Sequence, residues 1–151
     1  MKRGKKKPQK GKSGQWADHL THQAKADNYP ARSVYKLMEI QKKFRVIKKG
    51  DAVLDLGCSP GSWLLYAAKE AGPSGRVIGV DLKPIETDLP KQAAARVGDI
   101  LKLEENNILE TNDRFDIVLS DMAPATTGRK DVDALRSFEL CNMALNVAQQ
   151  Y

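Results

Sequence analysis

Four aspartates each follow a short apolar run: Asp55 after "AVL", Asp81 after "RVIGV", Asp99 after "AAARVG" and Asp121 after "DIVLS". Carboxylates at the carboxyl ends of buried strands can accept hydrogen bonds from ligand hydroxyls or face a cation, and this is where open parallel sheets bind their ligands. A single such aspartate is ordinary, because Asp favours turns and helix caps. Four in series exceed what capping alone explains, although Asp99 taken singly reads equally as the cap of a turn. The first of them opens "DLGCSPGSW", Asp55 to Trp63, where Gly57 and Gly61 fall at positions of sharp bending or close ligand approach. Trp63 reads either as a wall of that loop or as packing between the loop and the helix that follows.

The spacing narrows the ligand. Asp81 lies about 20 residues beyond the loop, the separation at which an acidic residue meets the hydroxyls of a bound ribose. The loop departs from the dinucleotide pattern G-x-G-x-x-G, since Ser59 replaces the second glycine. Pro60 has no N–H to offer a pyrophosphate. A ligand with a ribose but no phosphate fits better. S-adenosylmethionine is such a ligand, and its cationic sulfonium suits a ring of carboxylates that would repel a pyrophosphate. An NAD-dependent oxidoreductase is disfavoured on the same grounds.

The elements that must position these residues alternate. "KKGDAVLDLG", "GRVIGVDL", "AAARVGDI" and "DRFDIVLSDMAP" read as four strands, and "SWLLYAAKEAG" and "DVDALRSFELCNMALNVAQQ" as helices, the second with Asp131 as a candidate cap. Strands alternating with helices imply an α/β fold with a mostly parallel sheet. Upstream, "YPARSVYKLMEIQKKF" reads as a further helix, with Pro30 at its entry and Ser33 as a candidate cap. At 100° per residue, Val34, Leu37, Met38, Ile40 and Phe44 form one apolar stripe, while Arg32, Lys36 and Lys43 cluster opposite. Lys36 lies nearest the stripe, beside Ile40, so it is the cation placed to turn into a cleft; periodicity by itself reads it as a solvated lysine.

Composition sets the class. With 151 residues, 41% of them hydrophobic and 29% charged, the chain reads as one soluble globular domain. No run approaches the roughly 18 apolar residues of a membrane span, and the basic start has no apolar segment of a secretory signal. Cys58 and Cys141 form neither a metal spacing nor a disulfide framework, which fits a reducing compartment, and a cytoplasmic location is expected. The net charge of +6 is concentrated at one end: "MKRGKKKPQKGK" holds seven cations and no acid, leaving the rest near neutral. Residues 1–15 are therefore expected to be a disordered basic arm, with residues 16–151 the folded domain. Such an arm fits a polyanion, and RNA is the expected partner.

Together, "ARSVYKLMEIQ", "DLGCSPGSW", "GVDL", "VGDI" and "LSDMAP" resemble the FtsJ/RlmE-type family of ribose 2'-O-methyltransferases. The match runs from about Asp18 to the end of the chain, and "SDMAP" and the lysine-bearing "YKLMEIQ" are its most specific parts. The resemblance implies a Rossmann-like methyltransferase fold, S-adenosylmethionine as methyl donor, and a uridine ribose of 23S ribosomal RNA as substrate. It implies that Gly57, Gly61 and Trp63 line the cofactor loop, that Asp81 holds the ribose, that Asp99 lies by the adenine and that Asp121 lies near the methionine end. The family's catalytic set is similar to Lys-Asp-Lys-Glu; Lys36 matches its first lysine and Asp121 its aspartate. No residue of this chain matches the second lysine or the glutamate, which belong on later strands. The expectation is a C-terminally truncated sheet, very weak methyl transfer by this chain, and association of copies as one way to cover an open edge. The alternative from another class is a non-catalytic RNA-binding module that keeps the fold and the cofactor loop.

Overall fold

The structure, a computed structural model, describes residues 12–151, with side chains from residue 18 onward; most of the basic arm lies outside the described residues. The order of elements is α1 (Lys12–Ala26), α2 (Val34–Phe44), β1 (Ala52–Leu56), α3 (Ser62–Ala71), β2 (Arg76–Asp81), β3 (Ala93–Val97), a short 3-10 turn (Ile100–Lys102), β4 (Ile117–Ser120) and α4 (Lys130–Gln150). The strands form one sheet in the order β3-β2-β1-β4, and every pairing is parallel. β1 is central, with Leu54 opposite Ile78 of β2 and Val118 of β4.

Alternation along the strands sends side chains to two apolar layers. Val53 and Val77 point to the layer of α2 and α3, with Val34, Leu37, Leu64 and Ala67. Leu54, Leu56, Ile78 and Val80 point to the other, closed by Leu109, Val147 and Tyr151. Because β1 and β2 are covered on both faces, their apolar runs are continuous rather than alternating, as buried parallel strands require. No helix among the described residues is long and apolar enough to cross a membrane.

Five readings need correction. α1 was not read from the sequence, whose polar run there has weak periodicity. In α2, Val34 and Leu37 are buried, but Ile40 and Phe44 are exposed, Phe44 at 62%; the stripe is wider than the surface α2 has to cover. Ser33 makes no side-chain cap; its carbonyl instead accepts from the Trp63 indole N–H at 2.8 Å. Asp131 does not cap α4 but pairs with Arg129 at 3.1 Å, whereas Asp133 accepts from the amide and hydroxyl of Thr127, both at 2.8 Å. The sequence of α4 places apolar residues on two faces, which predicts burial of both, but the helix buries one only: Val147 is buried, and Leu135, Phe138 and Leu145 are exposed.

Candidate active site

A cavity of about 310 Å³ opens beyond the carboxyl ends of β1, β2 and β4, bounded by Gly57, Ser59, Asp81, Asp121, Met122 and, from α4, Leu140. The turn after β1 is shaped by backbone. Gly57 has φ +78 and Gly61 φ +110, the left-handed region that favours glycine, and a Cβ on Gly57 would collide with the Met122 side chain. Asp81 fixes the loop from the next strand, accepting from the amide of Ser59 at 2.9 Å and from that of Lys83 at 2.8 Å. Each oxygen has a second lone pair, so Asp81 can still accept from a ligand hydroxyl.

Asp121 follows β4 and meets α2 there. The Lys36 ammonium donates to its carboxylate at 2.7 and 3.1 Å. The lysine side chain is 65% exposed and the aspartate 28%, so this pair contributes little to stability and leaves the ammonium reachable. Lys36 also lines a second concavity of about 340 Å³, between α1 and α2, with Arg32, Tyr35 and Glu39. It therefore stands between an inner cavity and an outer one.

The four strand-end aspartates divide. Asp81 and Asp121 face the inner cavity. Asp99 accepts from the amide of Leu101 at 2.9 Å and caps the 3-10 turn. Asp55 is buried at 1% exposure, with one carboxylate oxygen lacking any hydrogen bond. Burial, then the Asp121 charge, then the Asp81 charge push its carboxyl up to about 7. Trp63 is buried in the α2/α3 layer, so its side chain stands behind the loop rather than in the cavity. Gly61 lies beside Ile85 and Thr87. Sequence reasoning missed Leu140, Ile100 and Leu82 as lining residues; only Leu140 carried a signal, sharing one apolar face of its helix with Val132, Met143 and Val147.

An open parallel α/β sheet with an acidic, apolar-walled cavity beyond its strand ends is a Rossmann-like ligand-binding architecture. Residues 29–151 match the model of the FtsJ-like methyltransferase family, and the chain belongs to that family. It is 61% identical to the ribosomal RNA large subunit methyltransferase E of Desulforapulum autotrophicum, over 97% of this chain and 70% of that protein. The protein of the same description from Desulfosudis oleivorans is 50% identical, over 95% of this chain and 69% of its own length. Among solved structures, a ribosomal RNA methyltransferase of Plasmodium falciparum is similar, with a TM-score of 0.63 and 30% identity over 78% of this chain and 69% of that one.

Proposed function

We propose that the protein transfers a methyl group from S-adenosylmethionine to a ribose 2'-hydroxyl of RNA, a uridine of 23S ribosomal RNA. The observation that carries this reading is the Lys36–Asp121 pair, which joins the inner cavity to the outer concavity. Relatives described as ribosomal RNA methyltransferases over nearly the whole chain favour the enzyme over a non-catalytic module.

The donor set fits the cofactor. Among the described residues, the inner cavity is lined by two carboxylates, Asp81 and, already paired with Lys36, Asp121, and by apolar walls from Leu82, Ile100 and Met122, which favours a sulfonium and disfavours a pyrophosphate. When bound, S-adenosylmethionine supplies the electrophilic methyl. Asp81 accepts from the ribose hydroxyls, Gly57 allows the close approach of the methionine end, and Asp121 attracts the positive charge. Gly61 and Trp63 shape the loop from behind, and Asp99 offers the adenine the oxygen that Leu101 leaves free. Lys36 would donate to the incoming 2'-oxygen and, held by Asp121, set its direction toward the methyl, with the O–C bond forming as the C–S bond breaks and the hydroxyl proton passing to water; such alignment supplies much of the rate enhancement of an in-line displacement.

The test is label transfer from methyl-tritiated S-adenosylmethionine to large-subunit ribosomal RNA, with protein in excess over RNA. Weak label in a ribose is expected, since no residue here matches the second lysine or the glutamate, and Lys36→Ala should bring it to background while cofactor binding stays within twofold. Label on a base, or full activity in Lys36→Ala, would overturn the reading.

A further inference from the structure

The far end of α2 holds a charge cluster that the site does not use. Residues 42–49 read "KKFRVIKK", five cations in eight residues with no acid. All five, Lys42, Lys43, Arg45, Lys48 and Lys49, are exposed. None of them is in an ion pair among the described residues. Cations in the last turn of a helix favourably meet its negative end, which accounts for Lys42 and Lys43. Lys49 donates to the Lys69 carbonyl in the last turn of α3 at 3.0 Å, a reason of the same kind; Arg45 and Lys48 lie beyond the helix and have none.

The backbone that presents them is held in place. Arg45 adopts the left-handed conformation, φ 50, with its amide donating to the Gln41 carbonyl at 2.8 Å. The Gln41 side chain then clamps Ile47, donating to its carbonyl at 2.8 Å and accepting from its amide at 2.9 Å. Ile47 is buried, and the Lys48 amide is fixed by Asp51 at 2.7 Å. The result is a concavity of about 680 Å³, rimmed by Lys42, Arg45, Lys48 and Lys49, whose one lining carboxylate among the described residues, Glu70, is already engaged by Gln41 and Tyr66. Beside it, Phe44 is exposed with the Lys43 ammonium 5.0 Å from its ring centre. Cations flanking an exposed aromatic ring suit a single-stranded nucleic acid, whose phosphates need neutralising and whose bases stack.

The cluster is continuous with the catalytic end of the same helix. Lys36 and Lys43 are seven residues apart, only about 20° short of two full turns, so they share one face about 10 Å apart. Arg32 extends that face past Lys36 into the outer concavity. Resting on the proposed RNA substrate, we infer that Lys42, Lys43, Arg45, Lys48 and Lys49, with Phe44, form a second contact surface that binds single-stranded RNA flanking the target nucleotide, along a track leading from Lys36 down α2.

The test measures binding of a fluorescein-labelled single-stranded RNA to the full chain from 50 to 300 mM salt. The triple variant Lys42→Gln/Lys43→Gln/Lys48→Gln should bind at least tenfold more weakly at 50 mM salt and flatten the logarithmic salt slope by about 2, since each lost phosphate contact on a single strand removes roughly 0.7. Its thermal midpoint and its response to S-adenosylmethionine should match the parent. Phe44→Ala should weaken single-stranded RNA more than a duplex of equal length. A triple variant that keeps both affinity and slope overturns the surface, as does an equal loss in the control Lys25→Gln/Lys91→Gln/Lys102→Gln. Polyglutamate bound as tightly as RNA, and equally sensitive to the triple variant, would make the patch a general polyanion surface and overturn the RNA assignment. A parent chain that binds no RNA would instead sink the function proposed above.

Discussion

Asp55 shows how one residue type takes different roles at adjacent strand ends. In sequence it is indistinguishable from Asp81 and Asp121: each follows an apolar strand. The pleat turns its side chain toward the α2/α3 layer, where water cannot reach it. A carboxyl at about 7 in the folded state, against an ordinary 3.8, binds more protons folded than unfolded between those values, so stability falls as pH rises through that window. The full cost at higher pH is roughly 4 kcal/mol. Asp55→Asn should therefore raise the denaturation midpoint at pH 8 and leave it nearly unchanged at pH 4. Equal shifts at both pH values would mean that packing, not charge, governs the site. Lys36 and Asp121 were each legible in the sequence as single residues. Their pairing, across 85 positions, was not, since no local pattern records which strand end a distant helix meets.

At the scale of elements, continuous apolar runs found the four strands, and their parallel order followed from the alternation with helices. α2 was read too generously: periodicity reports which residues lie on one side of a helix, not how much of that side the neighbour covers. Gly79 is a quieter case. It looked like any small residue in a strand, yet a Cβ there would stand 2.6 Å from the Cys58 Sγ and 2.7 Å from its Cβ. The loop that carries Gly57 and Gly61 thus folds back over β2 at a position only hydrogen can occupy. Gly79→Ala should cost about 1–3 kcal/mol by overpacking, lowering the thermal midpoint by roughly 5 °C. An unchanged midpoint would show that Cys58 can move aside.

At the scale of the whole molecule, the proposed RNA contact and the proposed cofactor site can each be tested in the absence of the other ligand. Seven cations precede Ser13, so deleting residues 1–12 should flatten the salt slope of RNA binding by as much as roughly 5, in addition to any effect of the α2 cluster. The deletion should not alter the response to small ligands. S-adenosylmethionine at about 100 times its dissociation constant should stabilise the chain by roughly 2.7 kcal/mol, a rise of about 5–10 °C, with NAD giving none. A shift with NAD instead would reverse the reading of Ser59 and Pro60.

The entry to α2 is bound to the start of α3 twice, by the Ser33 carbonyl to the Trp63 indole and by the Ala31 amide to the Ser62 hydroxyl at 2.7 Å. Those bonds place the helix of Lys36 and the glycine loop in one mechanical unit, with the inner cavity on one side and the proposed RNA track on the other. Ordering by either proposed ligand would then be partly accomplished for the second. Linkage makes the benefit reciprocal: whatever factor cofactor adds to RNA affinity, RNA must add to cofactor affinity. The indole of Trp63, at the junction, is where that exchange would be visible as a change in fluorescence.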